Sequence, residues 1–242
     1  MEARVKSILD SVIDDQEAYV LKELSSLSAQ AIVSLDDGNI SSIVPLAGLS
    51  AISQALVVGL DDAYRMGASH AIRRGVGDTV PVNIANNSSS QQLEVVNTFN
   101  KTTQNQLIAS IAAGASMDSS GSDSNSGLLD AAAIAFFVKS TFNKLRENRS
   151  SLVVSTAVYG AYNKGAFDAA AQKALKSNRP LYKTWNSMKD ESVREAHRDL
   201  DGKRVLVSSP FFVDGYKLMY PKDPLAPPNL TINCRCFLTF AF

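Results

Sequence analysis

The sequence predicts an α+β protein: a mainly helical N-terminal region followed by a small C-terminal α+β domain with a short sheet. Three observations point there. Apolar residues recur at helical spacing through most of the chain up to about residue 177. Strand-like runs begin only after Pro180. Those runs are too few and too late in the chain for a doubly wound parallel sheet. The 242 residues are 45% hydrophobic and 20% charged, which excludes wholesale disorder, collagen-like repeats and a disulfide-stapled miniprotein.

The first helix is read over 3–35, from Val5, Ile8, Leu9, Val12, Ile13, Val20, Leu24, Leu27, Ala31 and Leu35, with Asp36-Asp37-Gly38-Asn39 as its stop. No secretory signal is expected, because Met1 to Lys6 leads directly into charged amphipathic sequence. Ile40 to Leu60 carries no charge and has the length of a membrane span. Its serines, Gln54 and Pro45, with Asp61 and Asp62 after it, predict a buried or interface helix instead. A second helix is expected from about Leu46 to Arg74, ending at Gly75, then a loop over 75–90 and a third helix over 91–113. Residues 114–127, dominated by Ser, Gly and Asp, predict a flexible linker, and helices resume over 128–147 and 150–177. The expected organisation is therefore a helical region 1–113, a linker 114–127, and a region 128–242 whose core is 180–242.

In the C-terminal part, strands are expected at Tyr182–Trp185, Lys203–Val207, Tyr216–Tyr220 and Phe237–Phe242. One helix separates the first two, with Asp190 as its N-cap and Gly202 as its terminating glycine. Val193, Ala196 and Leu200 share the face that packs on the sheet, with His197 at its edge. Arg194 is placed to pair with Asp190, and Asp201 to accept a proton from the His197 imidazole. Tyr220 to Pro228 holds four of the eight prolines and is expected to be a rigid extended crossing without helix.

Formal net charge is zero, but residues 1–150 carry a net −5 and residues 151–242 a net +5. The whole chain is therefore no electrostatic match for nucleic acid or membrane. Two cysteines and two histidines exclude multi-site zinc proteins and four-cysteine iron–sulfur proteins. Cys234 and Cys236 would share one face of an extended strand, poorly placed for a mutual disulfide but usable as soft ligands. With His197 and a carboxylate such as Asp201 or Asp223 they could hold zinc. The plainer reading is two small buried residues and a histidine holding a loop by hydrogen bonds. A hydrolase or nuclease would use His197 as general base beside Asp201, with Arg194 as anion binder. The sequence has no Gly-x-Ser-x-Gly, phosphate-binding glycine loop or His-Glu-x-x-His to support it. A DNA-contacting protein would use Arg198, Lys203, Arg204 and Lys217, and its binding would weaken with salt.

Taken in order, Trp185, Asp190, Arg194, His197, Asp201-Gly202, Tyr220-Pro221-x-Asp223 and Asn233-Cys234-Arg235-Cys236 form a pattern over about residues 150–242. It resembles the C-terminal signature of the phage head morphogenesis family, the Mu F-like minor head proteins. Two positions depart from that signature: Lys222 stands where the family carries Gly, and Val154-Ser155-Thr156 where it carries Arg-Thr-Glu. The resemblance implies a non-enzymatic minor capsid protein of a tailed bacteriophage or prophage. Its partners would be the portal and the major capsid or scaffold proteins, together with packaged double-stranded DNA, and not a membrane. It would be assembled in the host cytoplasm, reside in the virion at the head interior or portal vertex, and assist assembly, DNA packaging or ejection. Region 1–113 would dock to the portal or capsid. Some relatives carry a toxin domain after this module; none is expected here, six residues past Cys236.

Overall fold

The computed structural model describes residues 2–26, 47–81, 97, 101–113 and 126–242. The described chain is helical up to Lys176 and mixed beyond it, the predicted α+β class. Helices α1 (Glu2–Ser26), α2 (Ala47–Arg73), α3 (101–113) and α4 (Ser126–Lys144) precede a π-helical turn (Leu145–Arg149) and α5 (Ser150–Lys176). Then follow β1 (Tyr182–Asn186), α6 (Glu195–Arg198), β2 (Arg204–Leu206), β3 (Phe211–Val213), β4 (Tyr216–Leu218), α7 (Pro228–Thr231) and β5 (Phe237–Ala241). The helical expectation over 27–35, the loop over 82–90 and most of the 91–100 helix and the 114–127 linker lie outside the described residues. Ser126 and Gly127 open α4. Of the uncharged 40–60 stretch, Ala47 to Leu60 lies in α2. No helix among the described residues is long and apolar enough to cross a membrane.

The chain divides into two compact units. One is built from 3–26, 47–56, 101–113 and 126–151. Leu9, Ile13, Val20 and Leu24 form the buried stripe of α1, and Leu107, Ile111, Ile134, Val138, Phe142 and Leu145 are buried with them. Arg146 ties α1 to the π-helical turn through Asp14 at 2.9 Å and Glu17 at 2.7 Å.

The second unit takes 57–81 and 152–242. Here α2 and α5 approach backbone to backbone. A Cβ on Gly67 would lie 1.9 Å from the Tyr162 carbonyl oxygen, and one on Gly165 2.0 Å from that of Tyr64. Beside this crossing Tyr64 donates to Asp168 at 2.9 Å and Lys164 closes on both Asp168 oxygens at 2.6 Å. Gly75, at φ +73°, ends α2 where the sequence placed the stop. Its N–H bonds to Ile72 O and that of Val76 to Ala71 O, the paired bonds of a Schellman cap.

The sheet is antiparallel in the order β2-β1-β5, and β3-β4 is a separate hairpin. On β1, Lys183 and Trp185 face the core, with Trp185 opposite Leu238 of β5. Asp214 and Gly215 turn the hairpin at φ +49° and +81°, the left-handed pair that a two-residue type I′ turn needs. The sequence reading found β4 but missed β3, although Asp214-Gly215 marks the hairpin. It also excluded helix from the Pro-rich crossing, whereas Pro228 opens α7 at the first helical position. No helical hydrogen bond is lost there, because that N–H would be unpaired in any helix.

Candidate functional site

Cysteines 234 and 236 belong to the core that Trp185, Leu200, Phe211, Leu218, Tyr220, Leu230 and Leu238 build. Three local features aim them at His197. The short helix expected between Asp190 and Gly202 contracts further, to the four residues of α6, with Arg194 at its N-cap position. His197 is 1% exposed, inside the core instead of at its edge, and its ring meets Trp185 edge-on at 5.4 Å between centroids. After α7, Asn233 adopts a left-handed φ of +57°, a conformation that Asn tolerates better than most residues, and delivers Cys234. Both thiols then converge on one ring atom: Cys234 Sγ lies 3.5 Å and Cys236 Sγ 3.7 Å from His197 Nδ1. The three ligand atoms lie within 4.8 Å of one another, an arrangement that could hold a metal ion. Both cysteines are free and buried. They precede β5 and are not part of a strand, so the same-face argument from strand alternation is replaced by the turn at Asn233.

The two thiols titrate as a pair. The Cys234 thiol is held well below its ordinary value, first by its hydrogen bond with Cys236 and then, against burial, by His197. Cys236 is pushed up by the same bond and by burial. One thiolate therefore forms easily and the second resists.

The charged signature residues brace this cluster and do not join it. Arg194 donates through Nη2 to the Ile232 carbonyl and not to Asp190. Asp190 instead takes a two-oxygen ion pair from Arg235, at 2.8 and 2.7 Å, and accepts from the Ser192 N–H in place of capping a helix. Asp201 accepts from the Ser187 N–H at 2.7 Å, which holds its carboxyl below the usual range, and lies 3.5 Å from Lys189. It therefore makes no bond to His197, and the hydrolytic pair of His197 with Asp201 is not assembled. Gly202, at φ +75°, donates to the Trp185 carbonyl at 2.9 Å. Asp223 accepts from Met219 N and Leu225 N at 2.9 and 3.1 Å, closing the turn at Tyr220 and Pro221. Neither Asp201 nor Asp223 joins the metal-capable group, so the carboxylate ligand expected from the sequence is absent from it.

The proposed DNA-contacting side chains Arg198, Lys203, Arg204 and Lys217 are all exposed. Arg198 is tied to the Val193 carbonyl at 2.8 Å, and Arg204 lies over the Tyr182 ring at 4.4 Å.

Two features escaped the sequence reading. Lys183 is fully buried, with its ammonium over the Phe167 and Phe211 rings at 4.7 and 5.1 Å and donating to the Met219 carbonyl at 2.7 Å. Strand alternation from Trp185 signals this, since i and i−2 share a face. A cavity of about 430 Å³ opens beside Cys236, lined among others by Ala71, Tyr159, Tyr162, Met188, Phe237 and Phe240. Its lining comes from four separate stretches of sequence, so no local pattern announces it.

The family model described as Phage Mu protein F like protein matches residues 101–239, more than half of the chain and every signature residue above. The match begins about fifty residues before the edge at 150 that the motifs alone suggested. No curated protein and no solved structure matches the chain.

Proposed function

The chain belongs to the Phage Mu protein F-like family, and from that premise we propose that it is a portal-associated minor capsid protein inside the head of a tailed bacteriophage or prophage. Membership supports a general role in head morphogenesis. The finer reading is that the protein assembles in the host cytoplasm with the portal and with major capsid or scaffold proteins, stays in the virion, and aids packaging or ejection of DNA. The helical region 1–113 would dock to portal or capsid, 114–127 would link it onward, and the signature residues from Trp185 to Cys236 would act structurally. The observation that carries this reading is the family match over 101–239. The geometry agrees with a part played without catalysis. His197 is buried against two thiols, and Asp201 is engaged by Ser187 and Lys189, so these two do not form an acid–base pair.

Quantitative mass spectrometry of purified particles, read against the portal protein, tests it. The expected result is a few copies per particle that survive a high-salt wash. Absence from particles, with the protein soluble in the lysate, would overturn residence in the head.

A further inference from the structure

We propose that His197, Cys234 and Cys236 bind one zinc ion, His197 through Nδ1 and the cysteines as thiolates, and that this ion is a structural clasp. The proposal stands on the geometry of the three side chains and is independent of residence in a phage head.

The separations are those of a coordination shell. A tetrahedral ion with Zn–S near 2.3 Å and Zn–N near 2.0–2.1 Å holds its sulfur and nitrogen ligands about 3.6 Å apart. The two observed separations, 3.5 and 3.7 Å, bracket that value, and all three ligand atoms lie within 4.8 Å of one another. A ring nitrogen offers one proton or one lone pair, so it serves one thiol fully, and here two converge on it. Nε2 has no partner among the described residues in either tautomer, so the distinction rests on Nδ1. Zinc resolves the convergence by taking one lone pair from the nitrogen and one from each sulfur. Both cysteines bind as thiolates, any proton still on a thiol leaves to solvent, and no electron is transferred. Two thiolates cancel the double positive charge, so the buried site is neutral and avoids the cost of an unpaired charge in the core. Two sulfurs and an imidazole also favour zinc over magnesium, calcium or manganese.

The surroundings make the ion structural. The small space bordered by Met188, Val193 and Asn233 is about 10 Å³, room for one water-sized fourth ligand on that side of the cluster. The ligands join α6 to the segment between α7 and β5. Arg194 to Ile232 O, and Arg235 to Asp190, bridge the same two stretches of chain on either side.

The test uses the full chain purified under reducing conditions without chelator. Elemental analysis should find about one zinc per chain, and Cys236→Ser or His197→Ala less than about 0.1. Asp190→Ala, which removes the Arg235 pair and the bond from the Ser192 N–H but no ligand, should keep its zinc. Because ligand variants can fail to fold, cobalt substitution of the unaltered chain gives the second readout. Sulfur-to-cobalt charge-transfer absorption with intense visible bands of four-coordinate cobalt is expected. A folded chain with both thiols reduced that takes up neither zinc nor cobalt would overturn the proposal. So would a Cys234–Cys236 disulfide in freshly isolated protein, or zinc retained in both ligand variants.

Discussion

Lys183 shows how a single buried charge sets a pH dependence. Burial pushes its ammonium down to about 8, against an opposing pull from Asp223. Unfolded lysine titrates near 10.4. Between those values the unfolded chain holds a proton that the folded chain has released, so raising the pH favours folding. Below about 8 both states are protonated and the contribution is constant. The expected outcome is that stability measured by urea unfolding, relative to Lys183→Met, rises from pH 8 to pH 10 and is flat from pH 6 to pH 7.5. An unchanged difference across the whole range would remove Lys183 as the cause. The other buried lysine answers a different question. Lys222 stands at φ +64°, the left-handed conformation that explains a family preference for Gly at that turn. Its Nζ donates to the Ser155 carbonyl at 2.9 Å. The two departures from the family signature, Lys222 and the Val154–Thr156 run, therefore touch each other.

Between elements, the closest packing is the α2–α5 crossing at Gly67 and Gly165. Gly165→Ala would drive a methyl into the Tyr64 backbone, where no flexible side chain can yield. Overpacking of this kind costs about 1–3 kcal/mol. The expected result is a lowered urea midpoint with an unchanged slope, while Gly215→Asn in the hairpin turn meets no atom at its Cβ, carries only the backbone strain of its φ of +81°, and lowers the midpoint less. Helices were legible wherever an apolar stripe ended in a cap, as α2 does at Gly75. β1 and β5 were legible because β-branched and aromatic residues alternate there. Shorter pieces were not. The three residues of β3 give too little alternation to register, and α6 is set by tertiary bonds from Asp190 and Asp201 that pull both would-be helix ends away. At the candidate site the sequence named all three members of the metal-capable cluster. It misjudged the fourth, because the positions of Asp201 and Asp223 depend on which backbone N–H groups those carboxylates meet.

For the molecule as a whole, the unit that carries the metal-capable site is discontinuous in sequence. Ala68, Ala71 and Val76, at the end of α2, share one buried cluster with Ala169, Ala170, Leu181 and Val207. Asp78 pairs with Lys173 at 2.7 Å, and Thr79 donates to Gln172 at 3.1 Å. Residues 57–81 are thus part of the same core as the sheet, although nearly seventy residues separate them from α5. The composition of 114–127 makes that run the expected first site of limited proteolysis. Cleavage there would leave the α2 strip on one fragment and the sheet on the other, held by the buried cluster, the Gly67–Gly165 crossing and the Asp168 network. The nicked chain should therefore elute at the volume of the intact protein and separate only in denaturant. Residues 128–242 expressed alone should unfold at lower urea than the nicked chain, and adding 47–81 in trans should recover part of the loss. If 128–242 alone matched the intact chain in stability, the α2 strip would be an accessory to this unit and not part of its core.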